Sequence, residues 1–101
     1  MKLFRAACDA ECDQALQRRE LAITPHSVQG KWLAETIQDA CAWGHWFSGV
    51  SGVPHARIIV VEVPDAMIAT LFRLARLDDI GPAIFASADQ LPLFTIVEVT
   101  T

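Results

Sequence analysis

Two tryptophans and one arginine are the residues whose chemistry is most informative in this sequence. Trp32 and Trp43 stand eleven residues apart, and Arg5 lies near the start of the chain. The face of an indole ring attracts a cation by about 0.5–2 kcal/mol, depending on how far the cation is desolvated. A guanidinium stays protonated and binds phosphate oxygens or hydroxyl groups. These residue types would suit a flat organic cation that carries phosphate.

The same residues also have ordinary structural interpretations. Large aromatic side chains on strands and helices usually pack into the core, so Trp32 and Trp43 can be core residues. An arginine at the edge of a strand can pair with a carboxylate such as Glu35. The residues alone leave these alternatives open.

Apolar periodicity predicts the elements that must position these side chains. The run Arg57 to Val63 is almost continuously β-branched, which is typical of a central strand covered on both faces. Strands are predicted over residues 2–7, 31–35, 57–63, 83–86 and 93–99, helices over residues 9–20, 36–44 and 64–76, and loops over residues 24–30 and 48–54. This order predicts an α+β fold, with a small mixed, twisted sheet and helices packed on it.

Each predicted helix has an inward face at helical spacing. These faces are Cys8, Cys12, Leu16 and Arg19 for the first helix, Ile37, Ala40 and Cys41 for the second, and Ile68, Leu71, Phe72 and Ala75 for the third. We expect Thr36 to cap the second helix and Gly44 to end or weaken it.

Length and composition limit the possible classes of protein. A chain of 101 residues that is 52% hydrophobic and 20% charged predicts one packed domain over residues 1–101. The net charge of −4, with scattered lysines and arginines, makes a nucleic-acid partner an unfavourable interpretation. No stretch resembles a signal peptide or a membrane span, and three cysteines suit reduced thiols, so we expect a cytoplasmic protein without a membrane partner.

No metal site is predicted. His26, His45 and His55 have separations that match no common ligand pattern, and Cys8 and Cys12 lack the close spacing of zinc ligands. We interpret both cysteines as buried thiols.

Residues 30–43, which read GKWLAETIQDACAW, resemble the signature strand and helix of the poly(ADP-ribose) polymerase branch of the ADP-ribosyltransferases. In that family a glycine and an aromatic residue precede a helix that carries a second aromatic residue. The opening strand LFRA resembles the superfamily's first motif, in its bacterial-toxin form with arginine instead of histidine. The resemblance implies an ADP-ribosyltransferase-like fold and NAD as the substrate. It implies that Trp32 and Trp43 hold the nicotinamide, Arg5 a ribose or phosphate, and the backbone of Ala6 the nicotinamide amide.

The resemblance also implies a catalytic carboxylate on a late strand, where it would stabilise the positive charge that develops on the ribose. Phe94 stands at the family's glutamate position, and Glu98 is the only carboxylate on that predicted strand. Glu98 is therefore the predicted catalytic residue. The alternative is a catalytically inactive nucleotide-binding or protein-interaction module of the same fold.

The resemblance leaves the partners of the chain open. The acceptor of the ADP-ribosyl group can be a protein, a nucleic acid base or water. Trp46 and Phe47 predict a hydrophobic lid or an interface, and with it a homodimer.

Overall fold

The computed structural model describes residues 1–21 and 29–100. Over these residues the chain forms six strands and three helices, in the order β1 (Lys2–Ala7), α1 (Asp9–Arg18), β2 (Gly30–Ala34), α2 (Ile37–Ser51), β3 (Arg57–Glu62), α3 (Asp65–Ile68), β4 (Phe72–Leu77), β5 (Gly81–Ser87) and β6 (Thr95–Val99). The chain is therefore an α+β domain, as the sequence predicts. Most of the loop predicted over residues 24–30, together with His26, lies outside the described residues.

The strands form a single sheet with the order β4-β5-β2-β1-β3-β6. Each strand pairing within the described residues is antiparallel, so the prediction of a mixed sheet was wrong. The physical reason lies in the position of β1 between β2 and β3. The crossover through α2 carries the chain from one side of β1 to the other, so β2 and β3 run in the same direction without pairing.

Both faces of the sheet are covered. On the first, the α1 face, Leu3 and Ile59 pack with Cys12 of α1. On the second, the α2 face, Val60 packs with Ala40 of α2. Four consecutive residues of β3, residues 58–61, are buried, which confirms the predicted central strand.

The helix predicted over residues 64–76 was correct only in its first turn, and the rest of the prediction was wrong. Helix α3 ends at Ile68, and the chain continues as β4, which pairs with β5 from Phe72↔Phe85 to Leu77↔Gly81. The sequence FRLARL satisfies both a helical and an alternating pattern, so the free edge of β5 decided between them. Because β4 is an edge strand, Phe72 and Ala75 are exposed instead of facing inward, whereas Leu71 is buried as predicted.

The predicted cap of α2 is confirmed, since the backbone N–H of Asp39 donates to Thr36 Oγ1 at 3.2 Å. Gly44 does not end this helix, which continues to Ser51. Its inward face consists of Ala40, Trp43 and Gly44, whereas Ile37 and Cys41 are exposed, contrary to prediction. Within residues 1–21 and 29–100, no helix combines the length and the apolar character needed to cross a membrane.

The prediction for the face of α1 was correct only in part. Cys12 is buried together with Ala15, but Leu16 and Arg19 are exposed. Cys8 is half-buried, so of the two cysteines interpreted as buried thiols only Cys12 is fully so.

Gly44 is the point of closest approach between α2 and the sheet. A Cβ atom at this position would press against the carbonyl oxygen of His55 and lie 2.7 Å from Ala6 Cβ. Within the same helix, a Cβ atom on Gly49 would have no neighbour within 4 Å. The two glycines therefore form a matched pair.

We predict opposite effects for the two alanine substitutions. Gly49→Ala should raise the free energy of unfolding by about 0.5–1 kcal/mol, because alanine is the better helix former. Gly44→Ala should lower it by about 1–3 kcal/mol, because the added methyl group overpacks the contact with β1. Urea denaturation at neutral pH measures both. Equal stabilisation by the two variants would contradict the close packing at Gly44.

Candidate functional site

The sheet opens between its two central strands. Strands β1 and β2 pair at one position, Phe4↔Ala34, whereas β1 pairs with β3 at six positions. A cavity of about 530 Å³ lies at this opening, within the range usual for small-molecule sites. Its wall is formed by Phe4, Arg5, Ala6, Cys8, Glu11, Gly30, Lys31, Trp32, Leu33, Ala34, Ala40, Trp43, Phe47, His55, Leu77 and Asp78.

Four of the five predicted site residues lie on the wall of this one cavity. They are Arg5 and Ala6 from β1, Trp32 from β2 and Trp43 from α2. Trp43 is 8% exposed and packs within the α2-face core, so it is both a core residue and a cavity residue. The structure thus brings together side chains that are up to 38 positions apart in the sequence. Their roles toward NAD stay predictions.

One end of the cavity is aromatic. The indole N–H of Trp43 donates to Asp78 Oδ2 at 3.2 Å. Asp78 and Asp79 both have positive φ, 53° and 61°, and form the tight turn between β4 and β5. Aspartate tolerates this conformation better than most residues. The turn therefore holds an exposed carboxylate beside the Trp43 ring.

Trp32 is held by a row of aromatic side chains across three strands. Its ring centroid lies 5.2 Å from that of Phe85 in an edge-to-face arrangement and 6.0 Å from that of Phe72. These three residues are neighbours in register on β2, β5 and β4. Strand pairing thus orients the Trp32 ring, which remains half-buried at the cavity wall.

The other end of the cavity is charged. Arg5 donates from Nε to Glu11 Oε2 at 2.6 Å and from Nη2 to Glu11 Oε1 at 3.2 Å. Its Nη1 donates to the carbonyl oxygen of Trp32 at 3.1 Å. Arg5 is therefore a paired residue, but its partner is Glu11 and not Glu35, which instead binds Arg73.

Lys31 is the second cation at this end. Its side chain has no solvent exposure, and its Nζ lies 3.1 Å from Glu11 Oε1. Even so, no acceptor among the described residues meets hydrogen-bonding geometry with this ammonium. Burial lowers the pKa of Lys31 below its usual 10.5, and the neighbouring Arg5 lowers it further, against the opposing effect of Glu11.

Glu11 carries the negative charge of this cluster. Burial raises its pKa, but Arg5 and Lys31 together outweigh burial and hold the pKa below its usual 4.5. Glu11 therefore stays ionised at neutral pH. One buried carboxylate faces two cations, which leaves one positive charge in excess.

Glu98 is the predicted site residue that does not reach the cavity. A bulge in the pairing of β3 with β6 places Glu98 opposite Val60 and Ile96 opposite Val61, so the two residues face opposite sides of the sheet. Simple alternation along a strand would place residues 96 and 98 on the same face, but alternation does not hold across a bulge. Glu98 is exposed, and β3 separates its strand from β1 by two strand spacings, about 10 Å. Its catalytic role stays a prediction.

Three cavity residues were missed at the level of sequence: Glu11, Lys31 and Asp78. Lys31 and Leu33 are two residues apart on β2 and lie on the same buried face. This spacing is the signal that could have indicated an inward lysine. Asp78 lies between a predicted helix and a predicted strand, so no hairpin turn was expected at this position. Glu11 had no distinguishing signal in the first turn of α1.

The described cavity wall includes four residues of metal-ligand type, Cys8, Glu11, His55 and Asp78. Within residues 1–21 and 29–100, no three His, Cys, Asp or Glu side chains come together in an arrangement that could hold one. The wall instead carries the cations Arg5 and Lys31 and the rings of Trp32 and Trp43, which suit an anionic or aromatic ligand.

Comparison of the chain with protein-family models, with curated proteins and with solved structures finds no match.

We predict that Glu11 makes stability depend on pH in the acid range. Because its folded-state pKa is below the unfolded value, its stabilisation is present above about pH 4.5 and is lost as the pH falls through the folded-state pKa. Glu11→Gln should lower the free energy of unfolding at pH 7 by about 3 kcal/mol, since it leaves the buried Lys31 and the partly buried Arg5 without a carboxylate. Urea denaturation from pH 7 to pH 3 measures this difference.

The control is Glu98→Gln, which removes an exposed carboxylate on the edge strand. We expect it to change stability by less than about 0.5 kcal/mol throughout this range. A deficit of Glu11→Gln that stays constant down to pH 3 would show that the charge of Glu11 is not what stabilises the fold.

Proposed function

We propose that this chain binds NAD in the cavity between β1 and β2 and acts on it as an ADP-ribosyltransferase or NAD glycohydrolase. The observation that supports this proposal is the meeting of Arg5, Trp32 and Trp43 on the wall of one cavity. The cavity has an aromatic end and a cationic end, and NAD combines a pyridinium ring with a diphosphate. Its volume of about 530 Å³ suits a ligand of that size class.

The two ends of the cavity suggest an orientation for NAD. The nicotinamide would lie against Trp43 and Trp32, where indole faces stabilise its positive charge. The backbone of Ala6 would contact the amide, and Arg5 a phosphate or a ribose hydroxyl. Contacts within residues 1–21 and 29–100 engage Nε and one N–H of each terminal nitrogen of Arg5, which leaves two of its five N–H donors for this contact.

In the reaction, the bond between the ribose C1′ and the nicotinamide nitrogen breaks, and its electron pair leaves with the nicotinamide. Positive charge then develops on the ribose, so a carboxylate close to C1′ lowers the barrier. The location of Asp78 beside Trp43 favours it over Glu98 for this role. A nucleophile from a protein, a nucleic acid base or water then bonds to C1′.

The second candidate function is binding of NAD without turnover. Both carboxylates among the described residues of the cavity wall are already engaged, Glu11 by two cations and Asp78 by the Trp43 indole. A carboxylate that is already ion-paired or hydrogen-bonded stabilises the positive charge on the ribose less strongly. Tight stacking on the pyridinium also stabilises the ground state, which gives affinity without rate.

Trp46 and Phe47 remain candidates for an interface. Their ring centroids lie 4.9 Å apart, and Trp46 is 46% and Phe47 42% exposed. The homodimer stays a prediction, and sedimentation velocity over a range of protein concentrations tests it.

We predict that NAD quenches the tryptophan fluorescence of the protein through the cavity residues. The quenching should persist in Trp46→Phe, because Trp46 is exposed and does not line the cavity. It should fall by more than half in Trp43→Phe, which keeps an aromatic ring in the core. Quenching that disappears only in Trp46→Phe would place the ligand elsewhere.

We predict that release of nicotinamide from NAD depends on Asp78. Asp78→Asn should slow the release by about 100-fold or more, because it removes the charge that faces the developing cation. Glu98→Gln should leave the rate within about twofold of wild type. Chromatographic measurement of nicotinamide separates the outcomes, and the reverse order of effects would restore Glu98 as the catalytic residue. Quenching by NAD without any release would support the non-catalytic alternative.

A further inference from the structure

The charged end of the cavity has two cations, Arg5 and Lys31, and one carboxylate, Glu11. Glu11 forms two hydrogen bonds with Arg5, whose one positive charge balances the one negative charge of the carboxylate. Lys31 is then a second cation, fully shielded from solvent, 3.1 Å from the same carboxylate. A buried charge without its own counter-ion is destabilising unless another group neutralises it.

The ammonium of Lys31 also has unused hydrogen-bonding capacity. It has three N–H donors, and none meets an acceptor in hydrogen-bonding geometry within residues 1–21 and 29–100. Lys31 is one of the residues of the cavity wall, and its buried ammonium lies 3.1 Å from Glu11, another residue of the wall. The lowered pKa of Lys31 agrees with this, since burial disfavours the charged form of the ammonium.

We propose that Lys31, together with Arg5, forms a binding site for a phosphoryl oxyanion at the α1 end of the cavity. The proposal rests on the proposed function, which supplies a diphosphate ligand, and adds the residue that would select for it. The excess of one positive charge matches the one negative charge that each phosphate group in the diphosphate of NAD carries on its oxygens. Glu11 acts as a positioning residue, since it holds the Arg5 guanidinium in place and sets the excess charge at one.

The site predicts a separation of binding from stability. A lysine that serves only as an ion-pair partner should stabilise the fold, whereas Lys31 bears a charge that burial disfavours. Removal of this charge should therefore leave the unfolding midpoint unchanged or raise it. Binding of an oxyanion should be weakened by the same change.

The experiment is calorimetric titration of the protein with inorganic pyrophosphate and with ADP-ribose, with adenosine as the uncharged ligand. We expect Lys31→Met to weaken binding of both anions by at least about tenfold and Lys31→Arg to retain most of it. The matched control is Lys2→Met, which makes the same chemical change at an exposed position of β1 and should bind as wild type. Urea midpoints of all variants, without ligand, give the stability readout.

A second measurement uses the wild-type chain and is independent of whether Lys31→Met folds. Pyrophosphate should shift the NMR resonance of the Lys31 ammonium, assigned by its absence in Lys31→Arg, and leave that of Lys2 in place. No shift of the Lys31 resonance at saturating pyrophosphate would overturn the proposal. So would unchanged pyrophosphate affinity in Lys31→Met, or a fall in its urea midpoint as large as that of Glu11→Gln.

The outcomes also separate this proposal from the proposed function. Binding of pyrophosphate and ADP-ribose through Lys31, with no quenching by NAD and no release of nicotinamide, would keep the oxyanion site and reject action on NAD. Equal binding and turnover of NAD by wild type and Lys31→Met would keep the proposed action on NAD and reject the oxyanion site.

Discussion

The structure depends on one interruption of the sheet. Strands β1 and β2 meet at Phe4↔Ala34 and are otherwise apart, although each is fully paired on its other side. In place of the missing ladder, Arg5 on β1 donates to the carbonyl oxygen of Trp32 on β2. A side chain thus bridges two backbones that do not reach each other, and the space beside this bridge is the cavity.

The bridge requires the charged cluster around it. A guanidinium at the centre of a sheet needs a counter-ion, and Glu11 of α1 supplies it with two hydrogen bonds. The same carboxylate faces Lys31, so helix α1, strand β1 and strand β2 are tied together by charge at the opening. Because the opening has Glu11 of α1 on one side and Trp43 of α2 on the other, the cavity connects both faces of the sheet. This arrangement explains how one small domain can offer cations and aromatic rings to the same ligand.

Sequence patterns were sufficient where one physical effect dominates locally. The β-branched run of β3 and the Thr36 cap of α2 were predicted correctly, since burial on two faces and a free backbone N–H each demand particular residue types. The prediction of β4 as a helix failed because FRLARL fits two periods, and only the unpaired edge of β5 selects one of them. The bulge opposite Val60 and Val61, which moves Glu98 to the other face of the sheet, likewise has no local signature.

The sequence by itself determined the α+β class, the central strand and the grouping of Arg5, Ala6, Trp32 and Trp43 as candidate site residues. Only the tertiary structure decided that these four meet at an opening of the sheet, that Glu98 lies outside it, and that Asp78 and Lys31 lie within it. The physical reason is that residue type and spacing report local periodicity and chemistry. A gap between strands, a shared carboxylate and an unmatched buried ammonium depend on which distant segments come together.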